Sequence, residues 1–146
     1  YRDAATEAGR QTVADNFGYL ICCYVAETQE KADEEARYFI WRMGTTTRGP
    51  REYMNPVGYR TQAGEQVAAR RAIRPLIQQS FEELKDNYHI VCGTPETVLE
   101  TLEYLHNRLG MEHMIFYGQE SRMSHDATMS NIGLFGKEVL PTVQKW

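Results

Sequence analysis

The chain is short of cysteine, of long apolar runs and of basic charge, and each shortage closes off a class of function. Its three cysteines, Cys22, Cys23 and Cys92, are odd in number and two are adjacent, which is no disulfide framework. Neighbouring residues of a strand point to opposite faces, so Cys22 and Cys23 cannot share one metal there. Small buried thiols are the expectation for all three. No stretch reaches the ~20 apolar residues that span a bilayer and no signal peptide is visible, so the expected compartment is the cytoplasm, with no membrane partner. Sixteen Lys and Arg stand against 20 Asp and Glu, a net charge of −4, which is not the basic footprint of a nucleic-acid binder. No pair of its four histidines has zinc-ligand spacing with a third ligand nearby, so no metal site is expected. P-loop, GxGxxG, Ser-His-Asp and Cys-His arrangements are likewise missing.

What is present is an ordinary globular balance, 42% hydrophobic and 25% charged, with enough chain for a real core. The opening Tyr1-Arg-Asp-Ala-Ala-Thr-Glu-Ala reads as a helix closed by Gly9, a helix whose start is missing, so a piece of a longer chain is expected. Gly18–Ala26 is a continuous apolar run, the pattern of a strand buried on both faces of a parallel sheet. A helix is predicted from about Gln29 to Met43, with Thr28 as N-cap and Ala32, Ala36, Phe39, Ile40 and Met43 inward.

Residues 44–64 lose all periodicity and fill with glycine, proline, threonine and tyrosine, a long loop of the kind that is usually functional or disordered. A polar helical stretch follows from Glu65, which Pro75 should kink or restart. Residues 42–74 hold seven arginines against two glutamates, net +5, which leaves −9 on the remainder. Arg48, Arg51, Tyr53 and Tyr59 are therefore candidates for a substrate lid, the arginines meeting an anionic substrate or a cofactor phosphate on closure. A solvated loop with incidental charge is the alternative.

The last third punctuates itself. Tyr88–Cys92 reads as a strand, and Thr94, Pro95 and Glu96 are an N-cap, an N1 proline and a dipole-complementing first turn. Val98, Leu99, Leu102, Leu105 and Leu109 form the apolar stripe of that helix, and Gly110 closes it. Met114–Tyr117 is the next strand. A final helix opens at Ser124 or His125, with Met129, Ile132, Phe135 and Val139 inward and Pro141 as its stop. Alternating strands and helices specify a parallel α/β sheet, and three strands alone would leave its edges unpaired.

Three stretches combine into a family pattern: Tyr-Val-Ala-Glu-Thr at 24–28, Ile-Val-Cys-Gly-Thr-Pro-Glu-Thr-Val at 90–98, and Leu-Phe-Gly-Lys-Glu-Val-Leu-Pro at 134–141. In that order they resemble the C-terminal portion of the luciferase-like flavin-dependent monooxygenases, across essentially the whole chain and least over 44–64. The resemblance implies about three strand–helix units of a (β/α)8 TIM barrel, with a long insertion before the seventh strand. Residues 1–43 would supply a helix end, a strand and a helix, 44–87 the insertion or lid and a helix, and 88–146 the last two units. It also implies oxygen insertion into a small organic substrate with O2 and reduced FMN, the FMN supplied by a flavin reductase. Hydride transfer with the deazaflavin F420, or a non-catalytic flavin-binding module, are the alternatives, and a homodimer is within the implied range. The family's phosphate contacts and best-known catalytic histidine lie on earlier strands with no counterpart here, so no catalytic residue can be named.

Barrel function concentrates at the C-terminal ends of strands. That selects Gly93 and Thr94, where helix-start amides could hold an anion, and Tyr117, Gly118 and Gln119, which could line the flavin or substrate pocket. A plain turn and cap, and plain packing, are the competing accounts.

Overall fold

The computed structural model describes residues 2–14, 17–41, 58, 61–64, 79–110 and 112–146. The proposed lid residues Arg48, Arg51, Tyr53 and Tyr59, together with Met43 and Pro75, lie outside them.

Helix α1 (Arg2–Glu7) is followed by Gly9 at φ 69°, the left-handed conformation expected of a helix-ending glycine. Strand β1 (Gly18–Val25) leads into α2 (Gln29–Ala36), whose N-cap Thr28 accepts the Lys31 amide. Ala32, Ala36 and Phe39 are buried as their spacing requires. Helix α3 (Phe81–Asp86) starts in a reciprocal capping box between Ser80 and Glu83 and buries Phe81 and Leu84. Strand β2 (Ile90–Gly93) begins two residues later than its apolar pattern, because Tyr88 stands at φ 58° in a turn. Helix α4 (Pro95–Leu109) has the expected Thr94 cap, N1 proline and left-handed Gly110, and buries Val98, Leu102 and Leu105. Strand β3 (His113–Tyr117) precedes α5 (His125–Leu134), capped by Ser124.

All three strands run parallel, in the order β2-β1-β3. This differs from the expected run of consecutive barrel units, in which β2 would stand between its sequence neighbours. Instead β1 is central. The chain steps from β1 to β2 through α2 and α3, then returns across β1 through α4 to reach β3. Two crossovers of one hand running in opposite directions must lie on opposite faces. That is what the core shows. Cys22 and Tyr24 of β1 and the following Ala26 pack with Ala32, Ala36, Phe39, Phe81 and Leu84 on one face. Ile21, Cys23 and Val25 pack with Val98, Leu102, Leu105 and Val139 on the other. The result is a three-layer α/β arrangement around a short parallel sheet.

Two further expectations change. Met129 and Ile132 are 52% and 54% exposed, while Thr128 and Asn131 are buried. The inward face of α5 is set by the polar contacts of Asn131, described below, and not by its apolar stripe. Pro141 does not stop the last helix: a π turn (Phe135–Val139) precedes α6 (Leu140–Val143). Proline lacks an N–H and its ring collides with the carbonyl four residues back, and a widened turn ahead of it relieves both problems. The start of β1 also departs from the both-faces-buried pattern, since Leu20 is 53% exposed. Among the described residues no helix is long and apolar enough to cross a membrane.

Candidate functional site

Ligands of open parallel sheets bind beyond the C-terminal strand ends, where neighbouring strands diverge because their crossovers leave on opposite faces. Here that place lies between β1 and β3. Their ladder ends at the Cys22–Tyr117 pair, while β1 continues against β2 to the Val25–Gly93 pair. Past Cys22, the β3-facing edge of β1 carries backbone groups with no strand to meet them. Asn131 meets them: its Oδ1 accepts the Val25 amide at 2.7 Å, and its Nδ2 donates to the carbonyls of Cys23 at 3.1 Å and Gly118 at 2.8 Å. One amide side chain thus ties the tip of β1 to the first residue after β3.

Gly118 is needed for this approach, because a Cβ there would stand 3.1 Å from Asn131 Nδ2. Beyond the tie opens a cavity of about 250 Å³, lined by Cys23, Phe116, Gly118, Gln119, Asn131, Ile132 and Phe135. The Phe116 and Phe135 rings lie 4.7 Å apart at 53°, and the π turn begins at Phe135. Tyr117 points to the other face, with its ring 6.2 Å from Phe39. Of the predicted residues, Gly118 and Gln119 therefore share this cavity with residues the sequence did not single out.

Glu120 follows directly and is 3% exposed. Its Oε1 accepts from the Ser121 amide at 2.6 Å and the Ser121 hydroxyl at 2.8 Å. Its Oε2 is buried with no hydrogen-bond partner among the described residues. Nearby, the Tyr24 hydroxyl donates to the Ala127 carbonyl at 3.0 Å, and burial, with the Glu35 charge, pushes its pKa up to about 12. Tyr24 stays neutral and structural at any working pH.

Gly93 and Thr94 occupy a separate place, with β1 between them and the β3 end. Thr94 Oγ1 accepts the Thr97 amide at 3.4 Å and lies 3.2 Å from the Thr97 hydroxyl oxygen. A Cβ on Gly93 would meet Gln29 Oε1 at 2.7 Å and Thr97 Cβ at 3.0 Å, so the chain's own side chains already fill the space a ligand would need at that glycine. Gln29 Nε2 donates to the Cys92 carbonyl at 3.3 Å and to Asp33 Oδ1 at 2.8 Å. The same Asp33 oxygen accepts from Lys85 at 2.7 Å and from the Cys92 thiol at 3.3 Å. Burial, reinforced by the Asp33 contact, pushes the Cys92 thiol up to about 12, which makes it a hydrogen-bond donor and not a nucleophile. A cavity of about 330 Å³ lies beside this network.

A further opening, about 630 Å³, is lined by residues that include Glu112, Met114, His106 and Trp146 and lies at the start of β3, the end opposite to strand-end chemistry. Among the described residues no group of three His, Cys, Asp or Glu could hold a metal ion.

At the β1–β3 divergence the side chains can bind and orient, and among the described residues no activated nucleophile or acid–base pair is seen there. The described lining is largely apolar, with the side-chain amides of Gln119 and Asn131 and no basic residue among the described ones. The cavity can take a ring or a small apolar molecule.

A parallel α/β layer with its ligand crevice at a strand divergence is the class the geometry defines, and solved structures narrow it. Monooxygenase RslO1 from Streptomyces bottropensis superposes with a TM-score of 0.53 at 19% identity, covering 97% of this chain and 35% of its own. The FMN-bound oxygenating constituent of 3,6-diketocamphane monooxygenase from Pseudomonas putida, a type II Baeyer–Villiger monooxygenase, superposes at 0.51 and 21% identity, covering 97% and 37%. The chain is thus similar in fold to these two monooxygenases and spans little more than a third of their length. No family model matches it, and no curated protein does.

Proposed function

We propose that this chain forms part of a flavin-dependent monooxygenase that acts on a small, mainly apolar organic molecule in the cytoplasm, with reduced FMN delivered by a separate flavin reductase. The observation that carries the proposal is the fold likeness along 97% of the chain to two monooxygenases, one of them holding FMN. Bound reduced flavin would supply the oxygen activation. The residues here would do the binding: Phe116, Phe135 and Ile132 exclude water from an apolar ring, Asn131 fixes the Gly118 carbonyl, and Gln119 offers its amide at the rim. The described residues of the lining include no cation, so on this reading they take the substrate or the edge of the flavin ring.

The test is a titration of the purified chain with FMN, and separately with an apolar cyclic ketone, following flavin fluorescence and tryptophan emission. Ketone binding that weakens on Phe135→Ala, with weak or no FMN binding to the chain alone, fits the proposal. Tight FMN binding indifferent to Phe116 and Phe135, or no response to any apolar ring, contradicts it.

A further inference from the structure

Between β3 and α5 the chain makes a turn, Gln119–Met123, that borders the β1–β3 cavity through Gln119. Both of its ends are fixed. Gly118 is held by Asn131, and Ser124 caps α5 by accepting the Ala127 amide at 3.1 Å. Between those anchors, the hydrogen bonds among the described residues close within the turn itself. They run from Ser121 to Glu120 Oε1, and from the Met123 amide to the Glu120 carbonyl at 2.9 Å. Gln119, Ser121 and Arg122 are exposed.

Two side chains plug the turn into the molecule, and they act in opposite directions. Met123 is 8% exposed and packs in the cluster of Tyr24, Ala26 and Phe39, which favours the closed turn. Glu120 is buried with Oε2 lacking a hydrogen-bond partner among the described residues, which opposes it. An acceptor in that state regains its hydrogen bonds on reaching water. The two effects are of similar size, so little free energy holds the turn shut. The remaining link is the Arg122 guanidinium 5.7 Å from the centre of the Trp41 ring, a weak contact at an exposed site. Segments held this lightly open locally while the rest stays folded.

We infer that the turn Gln119–Met123 is a gate on the β1–β3 cavity, which opens by carrying the Glu120 carboxylate into water and Gln119 off the rim. The inference rests on the reading of that cavity as the ring-binding site.

Hydrogen exchange at the Met123 amide, and stopped-flow binding of cyclohexanone to the intact chain followed by tryptophan emission, test it. The Met123 amide should exchange at least about 100-fold faster than the Val25 amide. Glu120→Gln keeps an acceptor for Ser121 and removes the buried charge. It should slow Met123 exchange, ketone association and ketone release each about tenfold, with Kd unchanged. Arg122→Ala should speed all three about twofold or more. Circular dichroism confirms that each variant is folded, and if Glu120→Gln unfolds, Arg122→Ala and the wild-type exchange decide. A Met123 amide as slow as that of Val25, or ketone rates indifferent to the substitutions, overturns the gate alone. A changed Kd at an unchanged association rate would make Glu120 a ligand contact and overturns it too. A folded wild type that binds no ketone overturns the reading of the cavity, and the gate with it.

Discussion

Asn131 stands to Val25 as a neighbouring strand would, its Oδ1 accepting the Val25 amide at 2.7 Å while its Nδ2 reaches the Cys23 carbonyl. A helix side chain has taken over a sheet's hydrogen bonds where the strands part, and the crevice keeps its shape because of it.

Asn131→Ala leaves the Val25 amide and the Cys23 carbonyl buried without partners. Each such group costs about 1–3 kcal/mol, so the loss should be roughly 2–4 kcal/mol, read as a lower urea midpoint. Asn131→Asp keeps the bond from Val25 but turns a carboxylate toward two carbonyls. That raises the folded-state pKa of the new carboxyl above its unfolded value. Its deficit should therefore grow as pH rises from about 4 and shrink below it. A deficit independent of pH would contradict this geometry.

Gly118→Ala forces a Cβ to within 3.1 Å of Asn131 Nδ2. A cost of about 1–2 kcal/mol is expected in wild type, and most of it should vanish in an Asn131→Ala background. The double-mutant cycle measures that coupling directly. Additive effects would place the strain elsewhere.

Asp33 and Lys85 predict two limbs in the pH dependence of stability. Burial opposes the Asp33 charge, but hydrogen bonds from Lys85, Gln29 and Cys92 outweigh it and hold the carboxyl below its ordinary value. Burial likewise opposes the Lys85 charge, and the Asp33 contact outweighs it and holds the ammonium above its ordinary value. The Asp33 contribution is present above about pH 4 and lost as pH falls through the lowered pKa, and the Lys85 contribution is present below the ordinary lysine value and lost as pH rises through its raised one. Both side chains keep about 30% exposure, so solvent screening limits the pair to roughly 1 kcal/mol. Asp33→Asn should remove about that much at neutral pH and flatten the acid limb in denaturation curves.

The cysteines predict chemical silence. All three are free and buried, and burial moves the thiols of Cys23 and Cys92 upward, Cys92 to about 12. At neutral pH the thiolate fraction of Cys92 is about 10⁻⁵. Native protein should resist a disulfide reagent and release three equivalents only on unfolding. Rapid labelling of Cys92 would mean that the Gln29–Asp33–Lys85 network opens.

Sequence reading succeeded where structure is local. Thr94, Pro95 and Gly110 announce α4 from both ends, and the apolar run of β1 announces a parallel strand, because caps and periodicity act within a few residues. It went astray where partners are distant. The strand order depends on which way each crossover turns, and no residue of β2 encodes that. Met129 and Ile132 looked inward on apolarity, yet one buried amide at position 131 outweighs them, because backbone groups more than a hundred residues away need it. The rule that function gathers at strand ends named Gly118 and Gln119, and both line the cavity beyond β3. Asn131 and Glu120 carried no signal that a single sequence displays.

The central position of β1 also has a consequence for synthesis. Its partners among the described residues begin at Ile90 and His113, so the apolar segment of β1 waits through at least the next sixty-odd residues of synthesis before either of them can pair with it. Long-range parallel pairing is slow and leaves sticky surface exposed while it waits. For this molecule, the interval between translating residue 25 and residue 117 is when a chaperone would matter most.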